Sequence, residues 1–166
     1  MVAKYLGFMR SVQMNERRNQ EVRRARCNNG AALASIYLRS TAKLGFLRRV
    51  HGPRSMWHHF TTMPSRNEVW VTLENQHITG FMTLRPDWID HLYIHPRHQN
   101  MGAGHTLLSV AKERSGGDLR LWTFQQNKPA LAFYSAHGFT LARRTDGRAN
   151  EEHMPDCLMI WEPDGT

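Results

Sequence analysis

Trp88 to Lys112 read WIDHLYIHPRHQNMGAGHTLLSVAK, and the rest of the chain is arranged around this stretch. Ile89, Leu92 and Ile94 stand in a short β-rich run that Pro96 closes, because a proline cannot donate to a strand ladder. Gln99 to Gly104 follow as a glycine-containing loop. Leu107, Leu108, Val110 and Ala111 then recur at helical spacing until Ser115-Gly116-Gly117 stops the pattern. A strand, loop and helix in this order present backbone N–H groups at the positive end of a helix dipole, which is a ready anion site. The phosphate of a nucleotide or coenzyme is the natural guest. The loop is not a dinucleotide fingerprint, since Leu107 stands where a third glycine would fall, and no Gly-Lys-Ser/Thr makes it a P-loop. A glycine pair before a helix can also be a plain tight turn, and the loop alone leaves both readings open.

Outward from this stretch, 166 residues suit one domain with a sizeable core. No apolar run approaches membrane-spanning length, and no apolar stretch with a small-residue cleavage site opens the chain, so the expected location is cytoplasmic and no membrane partner is expected. Cys27 and Cys157 lie far apart without CxxC spacing, as reduced structural thiols do. The net charge of +8 favours anionic partners, yet Arg17-Arg18, Arg23-Arg24 and Arg48-Arg49 are scattered pairs, as on a solubilising surface.

Residues 1–19 read as an N-terminal extension, with Met1, Met9 and Met14 all possible starts: either the segment is a loosely held arm or the true start is internal. Residues 20–166 form the domain. Glu21 to Arg26 is a first edge strand, and Asn28-Asn29-Gly30 offers a turn and an N-cap. One helix or a broken pair fits Ala31 to Leu47, ended by Gly52-Pro53. Met56, Trp57 and Phe60 suggest a short helix, and Pro64 to Asn67 a turn. Val69–Glu74 and Ile78–Leu84 read as a hairpin through Asn75-Gln76-His77. Leu119 to Thr123 alternates as a half-buried strand. Asn127 caps a helix with Pro129 in its first turn, Gly138 stops it, and Phe139–Arg143 and Cys157–Trp161 close the chain as strands. This order argues for an α/β or α+β domain with a partly antiparallel sheet.

The central stretch acquires a specific meaning beside Asn127-x-x-Ala130-x-x-Phe133-Tyr134-x-x-x-Gly138-Phe139. Together they resemble the GCN5-related N-acetyltransferase (GNAT) superfamily. Its acyl-CoA loop, Gln/Arg-x-x-Gly-x-Gly/Ala, is matched by Gln99, Gly102 and Gly104, after a strand and proline segment at Leu92-Tyr93-Ile94-His95-Pro96. The resemblance spans about Glu21 to Trp161, and the N-terminal third matches only in pattern. It implies a mixed, mostly antiparallel sheet with helices on both faces and a central acyl-CoA cleft. It implies acetyl-CoA as cosubstrate, held by the strand Leu92, Tyr93, Ile94 and by the loop Gln99, Asn100, Met101, Gly102, Ala103, Gly104, His105, with Asn127, Ala130 and Tyr134 opposite. Asn100 and Met101 stand where the family often has glycine and a basic residue. Backbone binding tolerates that, and Arg97 or His98 can supply the charge, unless both are solvated surface groups.

Acetyl transfer to an amine needs a neutral nitrogen, a polarised thioester carbonyl and a proton for the departing thiolate. Tyr134 offers that proton; the plainer reading is a packed aromatic. Asp90 is the first choice of base, or else an arginine's structural partner. Its neighbour His91 should face the other way, by strand alternation. Glu151, Glu152 and ordered water are further options. No metal is expected: His91, His95 and His98 cross a proline turn with no carboxylate or cysteine joining them. Trp57 and Trp88 suit core packing better than an acceptor pocket. Asp146, Glu151, Glu152 and Asp156 form either an acidic rim for a cationic amine or a solvated hairpin loop. No cysteine lies in either motif, so direct transfer in a ternary complex is expected over an acyl-enzyme. The reading is thus an N-acetyltransferase acting on a small-molecule or peptide amine, with a second copy of the chain as a candidate partner. Its rivals are a basic RNA- or ribosome-associated protein, for which no nucleic-acid motif is present, and a non-catalytic acyl-CoA-binding regulator.

Overall fold

In the computed structural model, which describes residues 20–47 and 50–163, the chain runs through seven strands and four helices. They are β1 Gln20–Arg24, α1 Gly30–Thr41, α2 Pro53–Arg66, β2 Glu68–Glu74, β3 His77–Arg85, β4 Trp88–Ile94, α3 Ala103–Arg114, β5 Leu119–Phe124, α4 Lys128–Ala136, β6 Thr140–Arg144 and β7 Asp156–Trp161. Short 3-10 turns precede α1 and follow β4. The expected arm at 1–19 and the pair Arg48-Arg49 lie outside the described residues.

The strands form one sheet in the order β1-β2-β3-β4-β5-β7-β6, antiparallel throughout except between β4 and β5. Period-2 alternation divides its two faces. Val69, Val71, Leu73 and Phe81 pack under α1 and α2 against Leu33, Ile36, Phe60 and Met63. Trp70, Met82, Leu84 and Ile89 point the other way, toward Leu107, Leu108 and Ala111 of α3 and Tyr134 of α4. The mostly antiparallel sheet with helices on both faces is therefore the observed architecture. Among the described residues no helix is long and apolar enough to cross a membrane.

Several boundaries differ from the sequence reading, each for a local reason. Asn29 does not cap α1 with its side chain; its Oδ1 instead accepts from the Arg26 amide at 2.9 Å. Gly30 is required by packing, since a Cβ there would sit 2.2 Å from the Thr61 carbonyl oxygen on α2. The first helix stops at Thr41, and Leu44 and Leu47 go to a cleft wall while Phe46 meets Phe124 with ring centroids 6.2 Å apart. Gly52-Pro53 begins α2 instead of ending α1, because an extended residue followed by proline presets a helical first turn. That helix continues through Pro64 to Arg66, because a proline so near the C-terminal end removes only one ladder bond. Trp57 is 44% exposed on α2, not core. Trp88 is half-buried beneath Arg85.

Candidate active site

The two halves of the sheet separate where the chemistry was expected. β4 pairs with β5 only at Trp88 with Arg120, backed by the Arg120 amide on the Asp87 carbonyl at 2.9 Å. Beyond that point β4 stays with β3 and β5 stays with β7, so the strands diverge into a cleft of about 510 Å³. Ile89 to Tyr93 line one wall; Leu121 to Phe124, Asn127, Ala130 and Tyr134 line the other. From Ile89 onward β4 thus has an edge without ladder partners on this side, open to a ligand's amide groups. A bulge shapes this wall: Leu84 faces Ile89 and Thr83 faces His91, leaving Asp90 unopposed. Ile89 and Leu92 consequently share the α3 and α4 face, whereas Tyr93 packs with Tyr37 and Phe81 on the other.

The glycine loop follows from the end of the same strand. Asn100 and Gly102 both have left-handed backbones, at φ 61° and φ 92°. Gln20 of β1 holds the turn, donating from Nε2 to the Met101 carbonyl at 3.4 Å and accepting from the Thr106 hydroxyl at 3.3 Å. Gln99 donates to the Ile94 carbonyl at 3.3 Å. No side chain caps α3, so the first-turn amides around Ala103, Gly104 and His105 point outward with the helix dipole behind them. Gly104 has a separate purpose: a Cβ would lie 3.0 Å from the Phe133 ring, so α3 and α4 approach closely there. His98 Nδ1 sits 2.9 Å from a Glu74 oxygen, which leaves Arg97 as the more available cation of the two. Gly102→Ala should cost about 1 kcal/mol through the left-handed backbone, with weaker acetyl-CoA binding. Urea unfolding and calorimetry check this; unchanged values would show that the turn relaxes freely.

On the opposite wall, Asn127 Oδ1 accepts from the Ala130 amide at 3.3 Å, capping α4 as expected. Gly138 follows the helix at φ 84°. Tyr134 is 7% exposed between Phe133 and Phe139, and burial pushes its phenol well above the ordinary tyrosine range. It therefore stays protonated at neutral pH. Tyr93 is raised by burial too, and further by Tyr37, Tyr134 and Glu152.

Of the acid–base candidates, Asp90 is held bidentately by Arg85, with Nη2 at 2.6 Å and Nε at 2.8 Å. This is the structural-partner role. Glu151 lies 2.9 Å from His51. Asp156 does not belong to an acidic rim: it is 8% exposed and accepts from Thr145 and Asn150. Glu152 is half-buried and lines the cleft. His91 lies against Phe60 and Tyr93 with Nδ1 2.8 Å from the Thr83 hydroxyl. Burial lowers its pKa from 6.5 to about 4, opposed by Asp90 and aided by His59.

That depression has a definite sign. Above pH 6.5 His91 is neutral in both folded and unfolded chains; between 6.5 and about 4 only the unfolded chain takes up the proton. Its share of stability is thus full above pH 6.5 and lost as the pH falls. Relative to the parent, His91→Gln should lose on the order of 2 kcal/mol less stability between about pH 7 and about pH 4.5 in urea titrations. Equal losses would remove the assignment.

Of the residues expected to hold coenzyme, the structure brings Leu92, Tyr93, Asn127, Ala130 and Tyr134 around the cleft, with Asp90 beside them. Gln99 to His105 lie apart, at the start of α3, and Ile94 ends the strand between the two groups. The sequence reading missed Leu44 and Leu47, whose only signal was apolar character continuing past the helix. It also missed Gln20 and Gln125; Gln125 donates to the carbonyls of Thr145 at 2.8 Å and Asp156 at 3.1 Å. Among the described residues no group of three or more His, Cys, Asp or Glu side chains gathers as a metal centre.

Residues 65–141 match a family model described as an acetyltransferase (GNAT) domain. Peptidyl-lysine N-acetyltransferase YiaC of Escherichia coli (strain K12) is 27% identical over 93 residues, 55% of this chain and 62% of that protein. The match therefore spans about three fifths of that relative's length. Among solved structures, apo YjaB from Escherichia coli superposes with a TM-score of 0.72 at 24% identity, covering 86% of this chain and 97% of the other. yncA from Salmonella typhimurium, solved with its cofactor acetyl-CoA, gives 0.66 at 20% identity over 89% and 96%. The PaiA N-acetyltransferase of Thermoplasma acidophilum in complex with coenzyme A gives 0.66 at 18% identity over 87% and 99%. At these identities the likeness is one of fold.

Proposed function

We propose, from the premise that this chain belongs to the GNAT superfamily of acetyltransferases, that it moves an acetyl group from acetyl-CoA to a primary amine by direct attack in a ternary complex. One observation carries the reading: β4 and β5 part after a single paired position, opening a cleft between a strand edge and the Tyr134 phenol. Acetyl-CoA supplies the activated acyl thioester. The chain's residues bind and orient it: amides from Asn100 to His105 take the pyrophosphate, and main-chain groups of Leu92 and Ile94 align the pantetheine arm and thioester. Tyr134, kept protonated by burial, gives its proton to the sulfur as the thiolate leaves. Asp90 fixes the bulge through Arg85 and takes part in proton removal only if that pair opens. The relative named for peptidyl-lysine and the neighbours solved with coenzyme support both halves of the reaction.

The arginines favour this reading over an RNA-binding one. Arg24 and Arg114 pair with Glu68, Arg85 with Asp90, and Arg120 with Asp87 and Asp118, so these four guanidinium groups are engaged within the fold. Calorimetry with acetyl-CoA, followed by a thiol-release assay over a panel of primary amines, tests the proposal. Binding with amine-dependent release is the expected result. No binding sinks the coenzyme site, and binding without release leaves a non-catalytic acyl-CoA binder.

A further inference from the structure

Leu121 of β5 and Met159 of β7 oppose one another, and both are buried in the core under α3 and α4. The next opposed pair, Trp122 and Leu158, therefore faces the other way. On β6, Leu141 stands opposite Met159, and a bulge at Ala142 brings Arg143 opposite Leu158. Without that extra residue Arg143 would oppose Cys157 and share the face of α3 and α4; with it, Arg144 takes that place. Trp122, Leu158 and Arg143 thus form one row across three strands, about 10 Å from end to end. Trp122 and Arg143 are both exposed, and both line the cleft beside Phe124 and Thr145. Arg24, Arg85, Arg114 and Arg120 each pair with a carboxylate, whereas Arg143 has no hydrogen-bond or ion-pair partner among the described residues. The carboxylates of the cleft do not supply one. Arg85 holds Asp90, Thr145 and Asn150 hold Asp156, and Glu152 forms no ion pair with Arg143. A guanidinium turned into a cleft by a bulge, next to an open indole, has its fork of donors free for a planar anion.

Resting on the acetyl-transfer reading of the cleft, we propose that Arg143 determines acceptor specificity by binding a carboxylate, so that the acceptor is a primary amine whose carrier also bears a carboxylate. Two N–H donors of the guanidinium take the two carboxylate oxygens. The apolar part of the carrier lies on Trp122 and Leu158. The carboxylate belongs either to the amine's own carbon chain or to an acidic side chain next to it in a peptide, and the chemistry at Arg143 is the same for both. One guanidinium beside one indole matches a single carboxylate. A nucleic-acid strand calls for a series of cations along its backbone, and Arg144 stands on the opposite face.

The test measures binding of two matched pairs of amines to the full chain by calorimetry, with and without saturating coenzyme A. One pair is 6-aminohexanoate and 6-aminohexanamide; the other is acetyl-Lys-Glu-amide and acetyl-Lys-Gln-amide. The proteins compared are the parent, Arg143→Gln and Arg144→Gln, with thermal unfolding to confirm that each is folded. In at least one pair the parent should bind the carboxylate at least about threefold more tightly than its neutral match, and the pair that shows this identifies the carboxylate being read. Arg143→Gln should bring that ratio to about one, and Arg144→Gln should keep it. A parent below the threefold ratio in both pairs, an Arg143→Gln protein that keeps more than half of the parent's ratio, or an Arg144→Gln protein that loses it equally overturns the assignment. So does a dimer of the parent that sedimentation shows to be lost in Trp122→Ala, because the row then belongs to a second copy of the chain. Thiol release with the same amines is read in parallel. Its absence in a parent that prefers the carboxylate counts against acetyl transfer, and its presence without that preference overturns the role of Arg143 alone.

Discussion

Replacing Tyr134 by phenylalanine should lower turnover about a hundredfold while acetyl-CoA affinity stays within about twofold. The ring is the structural part of this residue. It packs between Phe133 and Phe139 at centroid distances of 5.3 and 5.6 Å, and phenylalanine preserves that packing. In the proposed mechanism the hydroxyl is the chemical part. Burial keeps it protonated, so it can donate to a thiolate but contributes nothing as a base. Loss of a positioned proton donor acts on the departure of sulfur and not on binding of the ground state, so kcat falls and coenzyme affinity does not. Steady-state kinetics with calorimetry on the same preparation separates the two. Unchanged turnover would return Tyr134 to the role of a packed aromatic, and an equal loss of affinity would make it a binding residue.

Asp156→Ala should destabilise the protein by about 3 kcal/mol and raise the KM for amine without a matching change for acetyl-CoA. The carboxylate sits at the start of β7 and is 8% exposed. It accepts from the Thr145 hydroxyl on one oxygen and from Asn150 Nδ2 at 2.8 Å on the other. The same Asn150 amide donates to the Met154 carbonyl at 2.8 Å, and Thr145 Oγ1 accepts from the Gly147 amide at 3.1 Å. Gly147 completes the turn at φ 80°, with Met154 main chain where a Cβ would lie. One buried acceptor thus organises the loop that carries Glu152. Its removal strands several donors, and hydrogen bonds to a charged group are worth more than neutral ones. Urea unfolding reads the stability and a two-substrate kinetic series reads the loop. A loss under about 1 kcal/mol would mean that water replaces the carboxylate.

Asp156 and Asp90 also mark where sequence reasoning stops. In the linear sequence Asp156 is one more acidic residue beside Glu151 and Glu152, and nothing in its neighbours tells a buried hub from a solvated rim. Asp90 could be read as a base because Arg85, its partner, belongs to the preceding strand and meets it only after the β3–β4 turn is made. Pro64 and Gly52-Pro53 carried the right chemistry, but their position relative to a helix end was ambiguous. A proline stops one helix and starts another by the same fixed φ.

The elements with strong local causes were legible. The Val69–Leu84 hairpin follows from alternation and turn residues, with Asn75 and Gln76 at positive φ as a tight hairpin needs. The helix from Asn127 follows from its cap and from Gly138. The strand, loop and helix at Trp88–Lys112 follow from Pro96, the glycine pair and apolar spacing. These are short-range effects, set within about five residues along the chain, and they determined the local elements and the glycine loop to which the coenzyme's pyrophosphate is assigned in the proposal. The tertiary structure alone decided that β4 and β5 touch once and then separate, that Gly104 serves the contact with Phe133, and that Asp156 is buried at the base of the β6–β7 loop while Glu152 lines the cleft. Each of these depends on residues dozens of positions apart meeting in space, where charge pairing and packing select among side chains that look equivalent in sequence.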